Sequence, residues 1–254
     1  MSDPNDVLES LRALGFRSAT DSMRALLEQL TKSRASPMET CEKLVALERR
    51  ERDSHNLARR TRSASLGTHK SLDAFDWNHP KSIDRTLYEE LLGMDFIERS
   101  QNVLFRGQSG VGKTMLAQNL GLAALEKGHT VRFTTLAGVL ADLLKQESLP
   151  AFERRLRRYI SPELLIIDEL GYVPCDSRSA DLLYNIISRR HERASTVLTT
   201  NLAFKQWGTV FPGAACVAAL VDRFAQHLHV IDVDAESWRQ NKNEPSPQKP
   251  KRKR

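Results

Sequence analysis

Over roughly the first 65 residues, apolar positions recur every three or four places, the spacing of one helical face. Val7, Leu11 and Leu14 share such a face, and Gly15 supplies a stop. Ser18, followed three residues on by Asp21, resembles a capping box ahead of Met23, Leu26, Leu27 and Leu30. Ser36, Pro37 and Glu39 give an N-cap, a first-turn proline and a reciprocal acid. The third helix they open runs through Leu44 and Leu47 into an arginine-rich stretch, and residues 63–70 break the pattern. From about residue 71, short apolar runs alternate with longer helical stretches, which predicts a parallel sheet covered by helices. Five strands are expected, at 103–106, 130–134, 164–168, 196–200 and 228–233. The expected organisation is an α/β fold with an all-helical N-terminal domain over 1–70, the main domain with a minimal C-terminal lid over 71–240, and a disordered basic tail over 241–254.

Composition narrows the class. With 40% apolar and 28% charged residues in 254, the chain is neither a fibre nor wholly disordered. Its longest uncharged stretch, 206–221, is broken by Gly208, Pro212 and Gly213, and falls short of the roughly 20 apolar residues that a membrane helix needs. Asp3, Pro4, Asn5 and Asp6 do not read as a secretory signal, so a cytoplasmic protein is expected. Cys41, Cys175 and Cys216 have neither disulfide nor metal spacing and read as ordinary buried thiols.

The formal charge of +6 is unevenly distributed. Residues 239–254 hold seven Lys or Arg against Glu244 alone, so the remainder is neutral. Local clusters stay informative: Arg49, Arg50, Arg52, Arg59, Arg60 and Arg62 in one stretch, and Arg154, Arg155, Arg157 and Arg158 in another. Either could contact phosphate. Equally, each could be the solvated face of a helix.

Gly107-Gln108-Ser109-Gly110-Val111-Gly112-Lys113-Thr114, with Met115 continuing into a helix, satisfies the P-loop spacing. Glycines there let successive backbone N–H groups face a phosphate, Lys113 reaches the terminal phosphates, and Thr114 can ligate magnesium. The second element is the apolar run 164–167 ending in Asp168 and Glu169, a Walker B strand. In a parallel sheet its C-terminal end reaches the same edge as the P-loop, so Asp168 can support magnesium and Glu169 can polarise an attacking water. A third strand ends in Thr200-Asn201, which could orient that water or sense the γ-phosphate; alone, it would read as a turn asparagine. His227 and His229 alternate on the last strand, but no completing ligand gives them metal spacing. Asn241-Lys242-Asn243-Glu244 falls in the tail, and neither Ser109 nor Cys175 has a neighbouring base in sequence.

Taken together, these motifs resemble the IstB-like transposition helpers, AAA+ ATPases of the initiator-like branch related to the DnaC helicase loaders. The resemblance rests on 72–77, on 102–105 before the P-loop, on Gly171-Tyr172 after the acids, and on Thr200-Asn201, Asp222-Arg223 and Ser237-Trp238-Arg239. It spans residues 5–240 and implies a P-loop AAA+ core, ATP and Mg2+ as cofactors, and hydrolysis to ADP and phosphate. It further implies a homo-oligomer on duplex DNA that selects or remodels target DNA, recruits a partner transposase, and uses hydrolysis to control disassembly. No membrane partner is expected. Carried over, Lys113 and Thr114 bind phosphate and magnesium, Asp168 supports the metal, Glu169 is the base and Asn201 is sensor 1. Arg223 would be a finger acting in a neighbouring subunit, and Arg239 sensor 2 in its own. Gln108 and Ser109 depart from the prolines frequent in relatives. A helicase loader on single-stranded DNA and a non-hydrolysing ATP-dependent scaffold stand as alternatives; a small-molecule kinase would need an acceptor domain for which about 40 residues after Asn201 are too few.

Overall fold

The computed structural model describes residues 4–172 and 175–238, and the chain divides between Arg62 and Ser63 into two compact units. In the first unit, the helical periodicity becomes α1 (Pro4–Ala13), α2 (Thr20–Lys32) and α3 (Pro37–Ala64). The buried side of α1 is only partly the expected Val7, Leu11, Leu14 face: Leu8 is 1% exposed and Leu11 half-buried, whereas Val7 is 45% and Leu14 79% exposed. Adjacent apolar pairs at 7–8 and 13–14 leave the phase of the stripe open, and packing selects Leu8.

Nor does Ser18 cap α2. Ala19 holds the N-cap position without a side-chain bond. The acid that serves this turn comes instead from α3: Glu48 accepts from the amides of Arg17 (3.0 and 2.9 Å) and Ser18 (3.0 Å), from the Ser18 hydroxyl (2.8 Å) and from Arg52 Nε (2.5 Å). Burial pushes the Glu48 carboxyl upward, but the Arg52 guanidinium, the two amides and the Ser18 hydroxyl outweigh it and hold the group at about 2. The third start behaves as expected, with Ser36 Oγ accepting from the Glu39 amide at 3.1 Å.

In the second unit, α4 (Arg85–Leu91) and α5 (Asp95–Glu98) precede β1 (Asn102–Gly107), α6 (Lys113–Glu126), β2 (Val131–Thr135), α7 (Leu136–Leu144) and α8 (Leu149–Ile160). Then follow β3 (Leu164–Leu170), α9 (Ser177–Arg190), β4 (Ser195–Thr200), α10 (Trp207–Val210), α11 (Val217–Ala225) and β5 (Leu228–Val233). Residues 64–70 pack with this unit: Ala64 and Leu66 are buried, and Gln118 and Asn119 of α6 donate to the carbonyls of Leu66 and Lys70.

The strands form one parallel sheet in the order β2-β3-β4-β1-β5. β3 and β4 lie inside it, covered on both faces, which is why 164–167 reads as an unbroken apolar run. Every residue of β4 is buried, threonines included. Their hydroxyls are matched within the fold: Thr196 accepts from Arg190 Nε (3.0 Å), and Thr200 donates to the Leu170 carbonyl (2.7 Å). Arg190 is itself buried and donates to the carbonyls of Tyr159, Ile160, Pro162, Glu163 and Ser195, so it ties the turn between α8 and β3 to the start of β4. Burial lowers its guanidinium to about 9. Of the cysteines expected to be buried, Cys175 is, Cys216 is partly so, and Cys41 is exposed on α3. Among the described residues no helix is long and apolar enough to cross a membrane.

Candidate functional site

Crossing from β1 to α6, the chain makes the predicted phosphate loop. Gly110 and Gly112 have φ of +83° and +99°, conformations that a side chain resists. Space forbids one as well: a Cβ at Gly110 would lie 2.3 Å from Ser237 Oγ, and one at Gly112 would lie 2.7 Å from the Phe75 ring. Lys113 is 6% exposed, and its Nζ donates to the carbonyls of Gly107 (2.8 Å) and Gln108 (2.7 Å), spanning the loop it follows.

Because β1, β4 and β3 are neighbours and parallel, their C-terminal ends bring the loop and the acids together. Thr114 Oγ1 donates to Asp168, 3.1 Å from Oδ1 and 2.9 Å from Oδ2. A regular strand would send Asp168 and Glu169 to opposite faces. Here the register shifts: Ile167 pairs with Leu198, but Leu170 pairs with Thr200, so the two acids stand opposite Thr199 alone. Glu169 takes the left-handed conformation (φ 64°) at this bulge. Both acids consequently line one cavity of 370 Å³.

Ser109 to Thr114, with Met115, form one wall of that cavity. Facing them are residues that spacing alone does not single out, among them Lys70, Phe75, His79, Thr199, Tyr172 and Trp238. Phe75, Tyr172 and Trp238 fall in stretches that carry the family resemblance; Thr199 could have been found only by knowing that β3 and β4 adjoin. The His79 and Trp238 rings meet edge to face at 4.7 Å. The donor set fits the groups that the motifs imply: hydroxyl and carboxylate oxygens from Thr114 and Asp168 suit magnesium, and a glycine cradle with a lysine suits a polyphosphate.

Other expected site residues lie elsewhere. Asn201 is exposed just past β4 and is not among the cavity-lining residues. Arg223 on α11 does not line it either; its guanidinium stacks over the Tyr184 ring of α9 at 5.0 Å. Arg239 is outside the described residues. On α8 the four arginines are not equivalent: Arg155 Nε is bound to Asp142 at 2.6 Å, while Arg154, Arg157 and Arg158 are exposed. Of the two histidines near the last strand, His227 precedes β5, and His229 Nε2 lies 2.9 Å from Gln101 Oε1.

A parallel sheet in this order, with a phosphate loop after β1 and two acids at the end of β3, defines a P-loop nucleotide-binding protein of the AAA+ class. Structures of that fold align with it: DnaI at a TM-score of 0.53 and 18% identity, over 66% of this chain and 89% of that one, and the replication initiator DnaA bound to AMPPCP and single-stranded DNA at 0.51 and 16%, over 65% and 52%. The chain belongs to the family of IstB-like ATP binding proteins, whose model matches residues 9–246. Among its relatives are the ATP-binding protein of insertion sequence IS21 from Pseudomonas aeruginosa, 36% identical over 85% of this chain and 82% of the relative, and that of IS5376 from Geobacillus stearothermophilus, 32% identical over 85% and 86%.

Proposed function

We propose that this protein hydrolyses ATP as a helper of transposition: it oligomerises on duplex DNA, selects or remodels the target, recruits or activates a partner transposase, and disassembles on hydrolysis. The observation that carries the hydrolytic part is the convergence of Lys113, Thr114, Asp168 and Glu169 on one cavity. Lys113 and the loop amides would bind the β- and γ-phosphates. Thr114 and Asp168 would hold Mg2+, which when bound neutralises charge on the phosphates. Glu169 would accept the proton of the attacking water, so that ATP and water become ADP and phosphate. A scaffold that only bound ATP would have no use for a second carboxylate aimed into the cavity.

The assembly part rests on different grounds. Arg223 is outside its own cavity, and a guanidinium supplied by a neighbouring subunit would complete the site there. Asn201 and Arg239 are assigned as sensors by their motifs alone. Relatives that bear the names of insertion-sequence ATP-binding proteins favour a transposition role over helicase loading. The exposed Arg154, Arg157 and Arg158 are candidates for contacts with DNA phosphates.

Steady-state hydrolysis measured against protein concentration, without DNA and with duplex or single-stranded DNA, tests this reading, with Glu169→Gln as the blank. Turnover should rise steeply with concentration and with duplex. Stimulation by single strands alone would favour a loader, and a rate equal to the blank would leave a scaffold.

A further inference from the structure

The bulge in β3 gives Thr199 an unusual position. Its single hydroxyl serves both acids: Oγ1 donates to Asp168 Oδ1 and accepts from the Glu169 amide at 3.0 Å. Thr199 is 1% exposed, so no bulk water replaces either bond. At the bulge, where the β3–β4 register shifts, the Glu169 amide is met by a side chain of β4. Asp168 is thereby gripped from two sides, by Thr114 from the phosphate loop and by Thr199 from β4. Glu169, a non-glycine residue in the left-handed region, is held there through its own N–H.

We infer that Thr199 is a positioning residue which holds the bulge and so sets the mutual aim of the metal-supporting carboxylate of Asp168 and the base Glu169. The inference rests on reading the cavity as an ATP and magnesium site. A hydroxyl is required because the position must donate to a carboxylate and accept from an amide at once; valine has the same shape and can do neither. The β-methyl group is not required, so serine can substitute.

The test compares wild type with Thr199→Val and Thr199→Ser in three measurements. The first, on nucleotide-free protein without magnesium, is amide exchange at Glu169. Loss of the acceptor should speed it about five- to tenfold in Thr199→Val, with Thr199→Ser near wild type. The second is the Mg2+ concentration at half-maximal binding of a fluorescent ATP analogue, expected to rise about 10- to 100-fold in Thr199→Val. The third is kcat, expected to fall by a similar factor while the KM for ATP at saturating magnesium changes little. Should Thr199→Val not fold, judged by thermal melting, Thr199→Ala takes its place, since it removes the hydroxyl without setting a second methyl against Asp168.

Unchanged exchange and an unchanged magnesium midpoint in a folded Thr199→Val protein would overturn the inference. So would a Thr199→Ser protein as impaired as Thr199→Val. If wild type hydrolyses no more ATP than Glu169→Gln, the hydrolase reading fails by itself, and the first two measurements still decide the part played by Thr199.

Discussion

The amide of Trp238 donates to the carbonyl of Gly110 at 3.2 Å, so the segment that leaves the last strand is fastened to the phosphate loop. The same segment is held on its other side, where the Lys81 amide donates to Asp234 (2.7 Å) and the His79 ring lies 2.9 Å from the Glu236 carbonyl. A nucleotide entering beside Gly110 would meet the Trp238 indole, which lines the cavity and is 40% exposed, whereas Trp207 is fully buried and Trp77 is half-buried behind Phe75. ATP should change the tryptophan fluorescence of the wild type, and Trp238→Phe should abolish most of that change. Trp238→Ala should weaken ATP binding roughly three- to tenfold through loss of the aromatic contact. An equal signal from Trp238→Phe would assign the change to Trp77, which packs on Phe75 at 4.8 Å, and take the Trp238 indole out of nucleotide contact.

Replacing Lys113 removes a buried charge donor from the loop. Lys113→Ala should weaken ATP binding by about 2 kcal/mol or more, near 30-fold, with the melting temperature of the nucleotide-free protein little changed. Isothermal titration gives the first quantity and a thermal melt the second. Affinity within a factor of two of wild type would remove Lys113 from phosphate binding.

Charge on α8 divides by environment. If the exposed Arg154, Arg157 and Arg158 contact phosphates, replacing each with Ala should reduce the slope of log affinity against log salt by about 0.9 on duplex DNA. Arg155→Ala should affect the slope less, because its guanidinium is committed to Asp142 at 2.6 Å. Four equal effects would contradict that division, and an unchanged slope in the triple variant would take α8 off the DNA.

Acid should loosen the first unit before neutral chemistry would suggest. The carboxyl of Glu48 sits at about 2 in the folded chain, below the ordinary value of 4.5. A depressed carboxyl adds stability that is complete above the ordinary value and is lost as pH falls through the folded one, so the loss should run from about pH 4.5 down to 2. Helical circular dichroism followed by acid titration reads it. Glu48→Gln should be less stable than wild type at pH 7, by on the order of 2 kcal/mol, and should show a shallower slope in that window. A slope as steep as that of wild type would assign the acid transition to other groups.

Much of the second unit was legible because its signals are local. The P-loop is a run of consecutive residues whose glycines serve the backbone they belong to, and a buried strand shows itself as an apolar run wherever it lies in the sheet. All five strands appear within two residues of the expected bounds for that reason. The first unit was less legible. Its helices were expected, but the acid that holds the turn before α2 is Glu48, about 30 residues beyond that turn, and no short-range motif encodes a contact of that range.

Sequence by itself determined the class of chemistry: a phosphate loop with Lys113 and Thr114, a strand ending in Asp168 and Glu169, and the alternation that makes a parallel sheet, all of them properties of neighbouring residues. Tertiary structure decided how those parts meet. Strand order set β4 against β3, the bulge turned Glu169 to the side of Asp168, and the Thr199 hydroxyl came to be shared between them. The reason is physical: spacing along a chain encodes which face a side chain shares with its near neighbours, whereas the partner across a sheet is chosen by packing of the whole core.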